Sequence, residues 1–212
     1  MVKKIFSVEG NIGSGKSTII EKLKLSGEHF IYLQEPVHIW NEIKDSSGVT
    51  ILEKFYNDKK RYSFSFQMMA YITRLSQLKR CIDSAPEDCI IITERCLYTD
   101  RYVFAQMLYD SNLIEDIEYS IYLYWFDEFI TFNLDALIYI QTDPAICLQR
   151  TKTRNRKGEE LIPLEYLCSC HKYHESFIDS FKNKTNVFVY DGNGNINLNI
   201  IIDFILNFVK KG

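Results

Sequence analysis

Gly10-Asn11-Ile12-Gly13-Ser14-Gly15-Lys16-Ser17-Thr18 fits the pattern GxxxxGK[ST], in which a tight turn aims successive amide N–H groups at phosphate oxygens. The helix that starts where such a loop ends adds the positive end of its dipole. In this pattern Lys16 reaches the β- and γ-phosphates of a nucleoside triphosphate, and the Ser17 hydroxyl is a ligand for Mg²⁺. The loop works only between a strand and a helix, and the flanks predict both. Residues 3–8 form an apolar, strand-like run, and 17–25 has helical periodicity with Gly27 as a stop signal.

Further strand-like runs fall at 30–33, 89–93, 136–140 and 187–190, separated by segments long enough for helices. Apolar strands alternating with helices predict an α/β fold with a parallel sheet covered on both faces, whose ligands gather at the carboxyl ends of the strands. The residues with chemistry to offer sit at those ends. Gly10 follows the first strand, Glu35 the second and Glu94-Arg95 the third, so distant parts of the chain should meet around one crevice.

Long helices are predicted over 62–81, 98–110 and 114–132, the last so rich in aromatics that it suits a dimer face as well as a core. The apolar stretch 196–209 is interrupted by Asn197, Asn199, Asp203 and Asn207 and is too short to span a bilayer, which predicts a docked C-terminal helix and no membrane partner. Arg150 and Arg154 are four residues apart and share a helical face, with Arg156 and Lys157 close behind. This basic run predicts a lid over about 150–162 that closes guanidinium groups on the triphosphate.

With 212 residues, 46% of them hydrophobic and 14% aromatic, the chain suits one domain spanning 1–212. A net charge of −3 argues against a broad basic footprint for nucleic acid. The six cysteines form no disulfide framework, which predicts a reducing, cytoplasmic setting. The opening segment already carries the first strand and the phosphate loop, so no targeting peptide is expected.

Taken in order, Gly10 to Thr18, Glu35-Pro36-Val37-His38-Ile39-Trp40, Phe64-Ser65-Phe66-Gln67, Glu94-Arg95 with Tyr98-Thr99-Asp100-Arg101-Tyr102, and Ile162-Pro163-Leu164-Glu165-Tyr166-Leu167 resemble the deoxynucleoside kinase family over nearly the whole chain. That family includes deoxycytidine, deoxyguanosine, deoxyadenosine and mitochondrial-type thymidine kinases. The resemblance implies a P-loop kinase fold: a five-stranded parallel sheet flanked by helices, with an arginine-rich lid, in a usually dimeric enzyme. It also implies ATP or another nucleoside triphosphate as donor, Mg²⁺ as cofactor, and transfer to the 5′-hydroxyl of a deoxynucleoside in nucleotide salvage.

Carried over residue by residue, Glu35 is the candidate general base, and Arg95 holds it ionised and faces the charge that develops on the phosphoryl group. Glu94 stands where a metal-binding carboxylate is expected, beside Ser17, although Glu94 could equally be cast as the proton acceptor, and sequence does not separate the two roles. Such a site needs positioning and charge neutralisation, not a nucleophilic Ser, Cys or His. Donor binding falls to Gly10, Asn11, Ile12, Gly13, Ser14, Gly15, Lys16, Ser17 and Thr18 with Arg150, Arg154 and Arg156.

On the acceptor side, helical spacing places Gln67, Ala70, Tyr71 and Arg74 on one stripe facing one base. The resemblance assigns Gln67 to the base edge, Trp40 and Phe104 to the aromatic surround, and Tyr56 with Glu159 to the sugar 3′-hydroxyl, with Glu160 a competitor for the last role. Ala70, Arg74 and Asp100 follow the pattern of the deoxycytidine and purine kinases, which predicts that these nucleosides are favoured over thymidine. The rivals are a nucleoside monophosphate kinase, whose acceptor phosphate Glu35 would repel, a non-catalytic structural relative, and a nucleotide-driven switch or ATPase.

Two features remain. The cluster Cys168-Ser169-Cys170-His171-Lys172-Tyr173-His174 would spread around one helix and cannot wrap a tetrahedral zinc, so His171 and His174 are expected to pack or to hydrogen-bond. Cys96 stands where the family commonly has Ser, next to Arg95.

Overall fold

The computed structural model describes residues 3–156, 159 and 162–211. Five parallel strands, β1 (Lys4–Gly10), β2 (Phe30–Leu33), β3 (Ile90–Glu94), β4 (Ala136–Gln141) and β5 (Asn186–Asp191), form one sheet in the order β2-β3-β1-β4-β5. β2 and β3 lie on one side of β1, and β4 and β5 on the other. The strand order therefore reverses at β1, and a crevice opens at its carboxyl end, at Gly10.

The central strands are mostly apolar because both faces are covered, with Ser7 and Glu9 of β1 as buried polar exceptions. Along β4, Ile138 and Ile140 join Phe6 and Val8 of β1 beneath α1 (Lys16–Leu25) and the C-terminal helix α10 (Leu198–Lys211). Leu137 and Tyr139 point to the opposite face and pack with Val103, Phe177 and Ile178. The predicted C-terminal helix docks through Ile201 and Ile205, while Phe204 and Phe208 meet Phe6 edge to face.

Between β2 and β3 lie α2 (Val37–Glu42), α3 (Ile51–Asn57) and α4 (Lys59–Ser84). The sequence predicted one helix from Tyr62, but caps divide the segment earlier. Thr50 and Glu53 form a reciprocal capping box that starts α3, and the Asp58 side chain accepts the Arg61 N–H at 3.2 Å to start α4. After β3, α5 (Leu97–Thr99), a π-helical turn over Asp100–Ala105 and α6 (Gln106–Asp110) run on without a break. The π turn, a common mark of a functional site, contains Asp100 and Phe104. Then come α7 (Asp116–Phe129), shorter than the predicted 114–132 because a Glu115–Glu118 capping box starts it and Ile130 turns to an extended backbone, α8 (Pro144–Arg154) between β4 and β5, and α9 (Leu164–Phe181).

Candidate active site

The loop between β1 and α1 has the backbone that its glycines predict. Gly13 has φ +78°, and a Cβ there would come within 2.4 Å of the Cys147 carbonyl oxygen. Gly15, at φ +104°, is the N-cap of α1 and supplies no side-chain cap, so the first amides of the helix stay open to an anion. Ile12 N donates to Asn11 Oδ1 and Asn11 Nδ2 donates to Leu167 O of α9, both at 2.8 Å, which ties the loop to the helix that follows the lid.

Lys16 is buried and donates to Asn11 O at 2.6 Å. Burial, followed by the nearby Arg95 cation, pulls its pKa down to about 7. Ser17 Oγ donates to Glu94 Oε1 at 2.6 Å, so the two residues expected to serve a metal stand side by side. Both are hard oxygen donors. Mg²⁺ needs only one or two protein oxygens when phosphates complete its shell, so the donor set fits it.

Glu35 lies just beyond β2. Its Oε1 is 3.2 Å from Arg95 Nε and accepts from Arg74 Nη2 at 3.2 Å. Burial alone would raise the carboxyl pKa, but Arg95, Arg74 and Lys16 outweigh it and hold the group at about 2.

Arg95 has φ +66°, a left-handed conformation that a non-glycine residue adopts only when its surroundings enforce it. The backbone is pinned on both sides: Arg95 N donates to Val8 O at 3.0 Å, and Cys96 N donates to Glu9 Oε1 at 2.8 Å. Glu9 is wholly buried and also accepts from Ser7 Oγ at 2.5 Å and Thr99 Oγ1 at 2.6 Å. The Arg95 guanidinium donates through Nη1 to Gly10 O at 2.8 Å, lies 3.2 Å from His174 Nε2, and sits 4.7 Å from the centre of the Phe104 ring.

One continuous cleft joins these groups to the residues expected to take the acceptor, and Glu35, Trp40, Tyr56, Gln67, Ala70 and Arg74 all line it. Asp100, Phe104, Arg154, Arg156 and Glu159 complete the expected set along its wall. Arg74 donates through Nε to Asp100 Oδ2 at 2.9 Å and through Nη1 to Glu94 O at 2.8 Å. Asp100 is buried, which pushes its pKa up to about 6 despite the opposing pull of Arg74. Gln67 Oε1 is buried and has no partner among the described residues. Trp40 donates through Nε1 to Thr73 Oγ1 at 3.0 Å and meets Phe66 edge to face.

Tyr71 does not share this cleft. The stripe is wide enough for its two edges to diverge. Ala70 turns to the pocket, while Tyr71 turns into a core with Tyr122 and Phe126, its hydroxyl donating to Trp125 O at 3.2 Å.

In the segment predicted to be a lid, Arg150 of α8 donates through Nη1 to Ser14 O at 3.2 Å, back onto the loop between β1 and α1. Arg154 and Arg156 both engage the buried Glu159, the latter at 3.1 Å. Tyr56 is buried within electrostatic range of Glu159, and burial, then that carboxylate, raise its pKa. Lys157, Gly158 and Glu160, the rival to Glu159, lie outside the described residues.

The cysteine- and histidine-rich cluster on α9 spreads as helical geometry requires: Cys168 is exposed, whereas Cys170 and His174 are buried. Cys96 keeps a side-chain contact with Thr99 Oγ1 at 3.6 Å, and its amide serves Glu9. Sequence reasoning missed Glu9, the Arg95–His174 contact, and the cleft-lining Phe55, Phe66 and Tyr166. Phe66, next to Gln67, and Tyr166, after Ile162-Pro163, both lie within family-like motifs, which was the available signal.

A model of the deoxynucleoside kinase family matches residues 6–207. The chain belongs to that family. Deoxycytidine kinase of Mus musculus is 34% identical over 197 residues, covering 84% of this chain and 75% of the relative. A probable deoxycytidine kinase of fowlpox virus is 37% identical over 180 residues, covering 83% and 72%, and mitochondrial deoxyguanosine kinase of Xenopus laevis is 31% identical over 211, covering 88% and 80%. This deoxynucleoside kinase phosphorylates deoxynucleosides for salvage and takes the phosphoryl group from a nucleotide donor. The parallel α/β sheet is that expected of the family, and the monophosphate kinase rival is set aside. No helix among the described residues is long and apolar enough to cross a membrane.

Proposed function

We propose that the enzyme moves the γ-phosphoryl group of ATP to the 5′-hydroxyl of deoxycytidine or a purine deoxynucleoside, with thymidine disfavoured. The observation that carries this is Glu35 held between Arg95 and Arg74 at the junction of the phosphate loop and the nucleoside cleft. The open amides of α1 with Lys16, Arg150, Arg154 and Arg156 bind the donor. Ser17 and Glu94 hold Mg²⁺, which when bound neutralises charge on the phosphate oxygens.

Glu35 takes the proton of the attacking hydroxyl. The hydrogen bond from Ser17 turns Glu94 toward the phosphate loop, which favours Glu35 over Glu94 for this role. A carboxylate held at about 2 is a weak base, and a loose, metaphosphate-like transition state asks little of a base beyond orientation. Arg95 faces the charge that spreads over the transferred group.

Asp100 sets the base preference. A carboxylate in the cleft accepts from an exocyclic amino group, as on cytosine or adenine, and repels the O4 acceptor of thymine. Gln67 completes the base edge, Trp40 and Phe104 surround the ring, and small Ala70 leaves it room. Tyr56 and Glu159 take the sugar 3′-hydroxyl.

The enzyme works as one catalytic domain in a cytoplasmic homodimer. On α7, Ile117, Ile121, Tyr124 and Trp125 recur at helical spacing and are exposed, and Ile72 of the neighbouring α4 extends the patch. All six cysteines are free thiols, which suits a reducing compartment. ADP release with each of the four deoxynucleosides, alone and in competition, tests the function. Faster turnover of deoxycytidine, deoxyadenosine or deoxyguanosine is expected, and a thymidine preference or acceptor-independent hydrolysis contradicts it.

A further inference from the structure

We propose that His174 is a positioning residue for phosphoryl transfer, its imidazole on α9 fixing the plane of the Arg95 guanidinium. The inference rests on the reading of Arg95 as the cation that faces the transferred group.

His174 is wholly buried, and both ring nitrogens are engaged. Nδ1 lies 2.7 Å from Cys170 O, one helical turn back, and since a carbonyl only accepts, the proton sits on Nδ1. Nε2 is then a bare lone pair, and Arg95 Nη1 donates to it at 3.2 Å. A second proton would set two buried cations face to face, and burial together with Arg95 holds the imidazole pKa well below its usual range. The ring is clamped as well. It stacks on Tyr139 with centroids 6.2 Å apart and planes 12° from parallel, and it meets Phe104 edge to face at 5.9 Å.

The consequence lies in how the five N–H groups of Arg95 are shared. Nε faces Glu35, and the two Nη1 hydrogens go to Gly10 O and His174 Nε2. Nη2 has no protein partner among the described residues. One edge of a planar, buried fork is left over while Nη1 is tied down by two hydrogen bonds and Nε stands in an ion pair with Glu35, as a group presented to a reacting phosphoryl requires. The tie spans 79 residues of sequence and links the strained end of β3 to the helix that follows the lid.

The test combines kinetics with a spectrum. Phe at position 174 keeps the ring shape but loses the acceptor, whereas Gln can return an oxygen to the place of Nε2. H174F should lower kcat by about 10- to 100-fold, with KM for deoxycytidine and ATP within about threefold, and H174Q should recover most of the loss. In the wild-type enzyme, ¹⁵N NMR should show an Nδ1–H tautomer with unprotonated Nε2, a readout that does not depend on any variant folding. The proposal is overturned by an H174F kcat within about twofold of wild type, by H174Q as damaged as H174F, or by a protonated Nε2. R95Q with full turnover would instead remove the role of Arg95, and this proposal with it.

Discussion

Glu35 Oε1 stands 3.2 Å from Arg95 Nε, so the carboxylate just beyond β2 and the cation just beyond β3 form one unit. Arg74 reaches the same oxygen at 3.2 Å and carries the connection on to Asp100 at 2.9 Å. A single chain of charges thus runs from Asp100 through Arg74 and Glu35 to Arg95. With the base at Asp100 and the attacking hydroxyl at Glu35, as proposed, Arg74 is the group that would couple the two.

Donor binding should take up a proton. Lys16 has a pKa of about 7 in the free enzyme because it is buried near Arg95, and a polyanion arriving beside it favours the charged form. At about pH 8 calorimetry in buffers of differing ionisation enthalpy should show uptake approaching one proton per ATP, fading toward about pH 6, where Lys16 is already charged. Absence of uptake at the higher pH would show that Lys16 stays protonated in the free enzyme.

With deoxycytidine, kcat/KM should fall as the pH drops through about 6, because that is where Asp100 gains a proton and stops accepting from the base. Glu35, held at about 2, stays ionised across this range, so the limb does not belong to it. Asp100→Asn should remove the limb and raise the ratio of thymidine to deoxycytidine turnover, since an amide can donate to O4 of thymine. An unchanged limb in the variant excludes Asp100 as its source.

Glu9→Gln tests the buried anchor behind Arg95. The amide removes the negative charge to which Cys96 N and the Ser7 and Thr99 hydroxyls donate, and of these partners only a hydroxyl, turned round, can accept from the new NH₂. Denaturant unfolding should show a loss of about 1.5–3 kcal/mol, the usual worth of a hydrogen bond to a charged group. Equal unfolding midpoints for variant and wild type would mean that the turn holds itself.

The exposed face of α7 should pair two subunits. Ile121→Glu with Tyr124→Glu places charge in the centre of that patch. Sedimentation should give a dimer for the wild type and a monomer for the double variant. A monomeric wild type contradicts the pairing.

What could be foreseen from sequence followed the range of the interaction. The phosphate loop, the strand ends that carry Glu35 and Glu94-Arg95, and the Gln67, Ala70, Arg74 stripe depend on local spacing or on a motif, and they meet in one cleft. Tyr71 went astray because a helical stripe has two edges, and only tertiary packing decides which edge faces the pocket. Glu9 and His174 left no periodic trace. His174 was expected only to pack or to hydrogen-bond, and Glu9 stands on a strand face with polar Ser7, but the partners that give them meaning lie 79 and 87 residues away, beyond what spacing reports. The split between α3 and α4 was missed for a nearer reason: Thr50, Glu53 and Asp58 carry capping signals that a search for long apolar periodicity passes over.

The central claim is that Glu35 receives the proton of the attacking hydroxyl while Arg95 and Arg74 keep it charged. Glu35→Gln preserves shape and removes that charge, and steady-state kinetics with saturating ATP should show kcat reduced by about 10²- to 10⁴-fold with KM for the deoxynucleoside little altered. A variant that turns over at the wild-type rate would contradict the account.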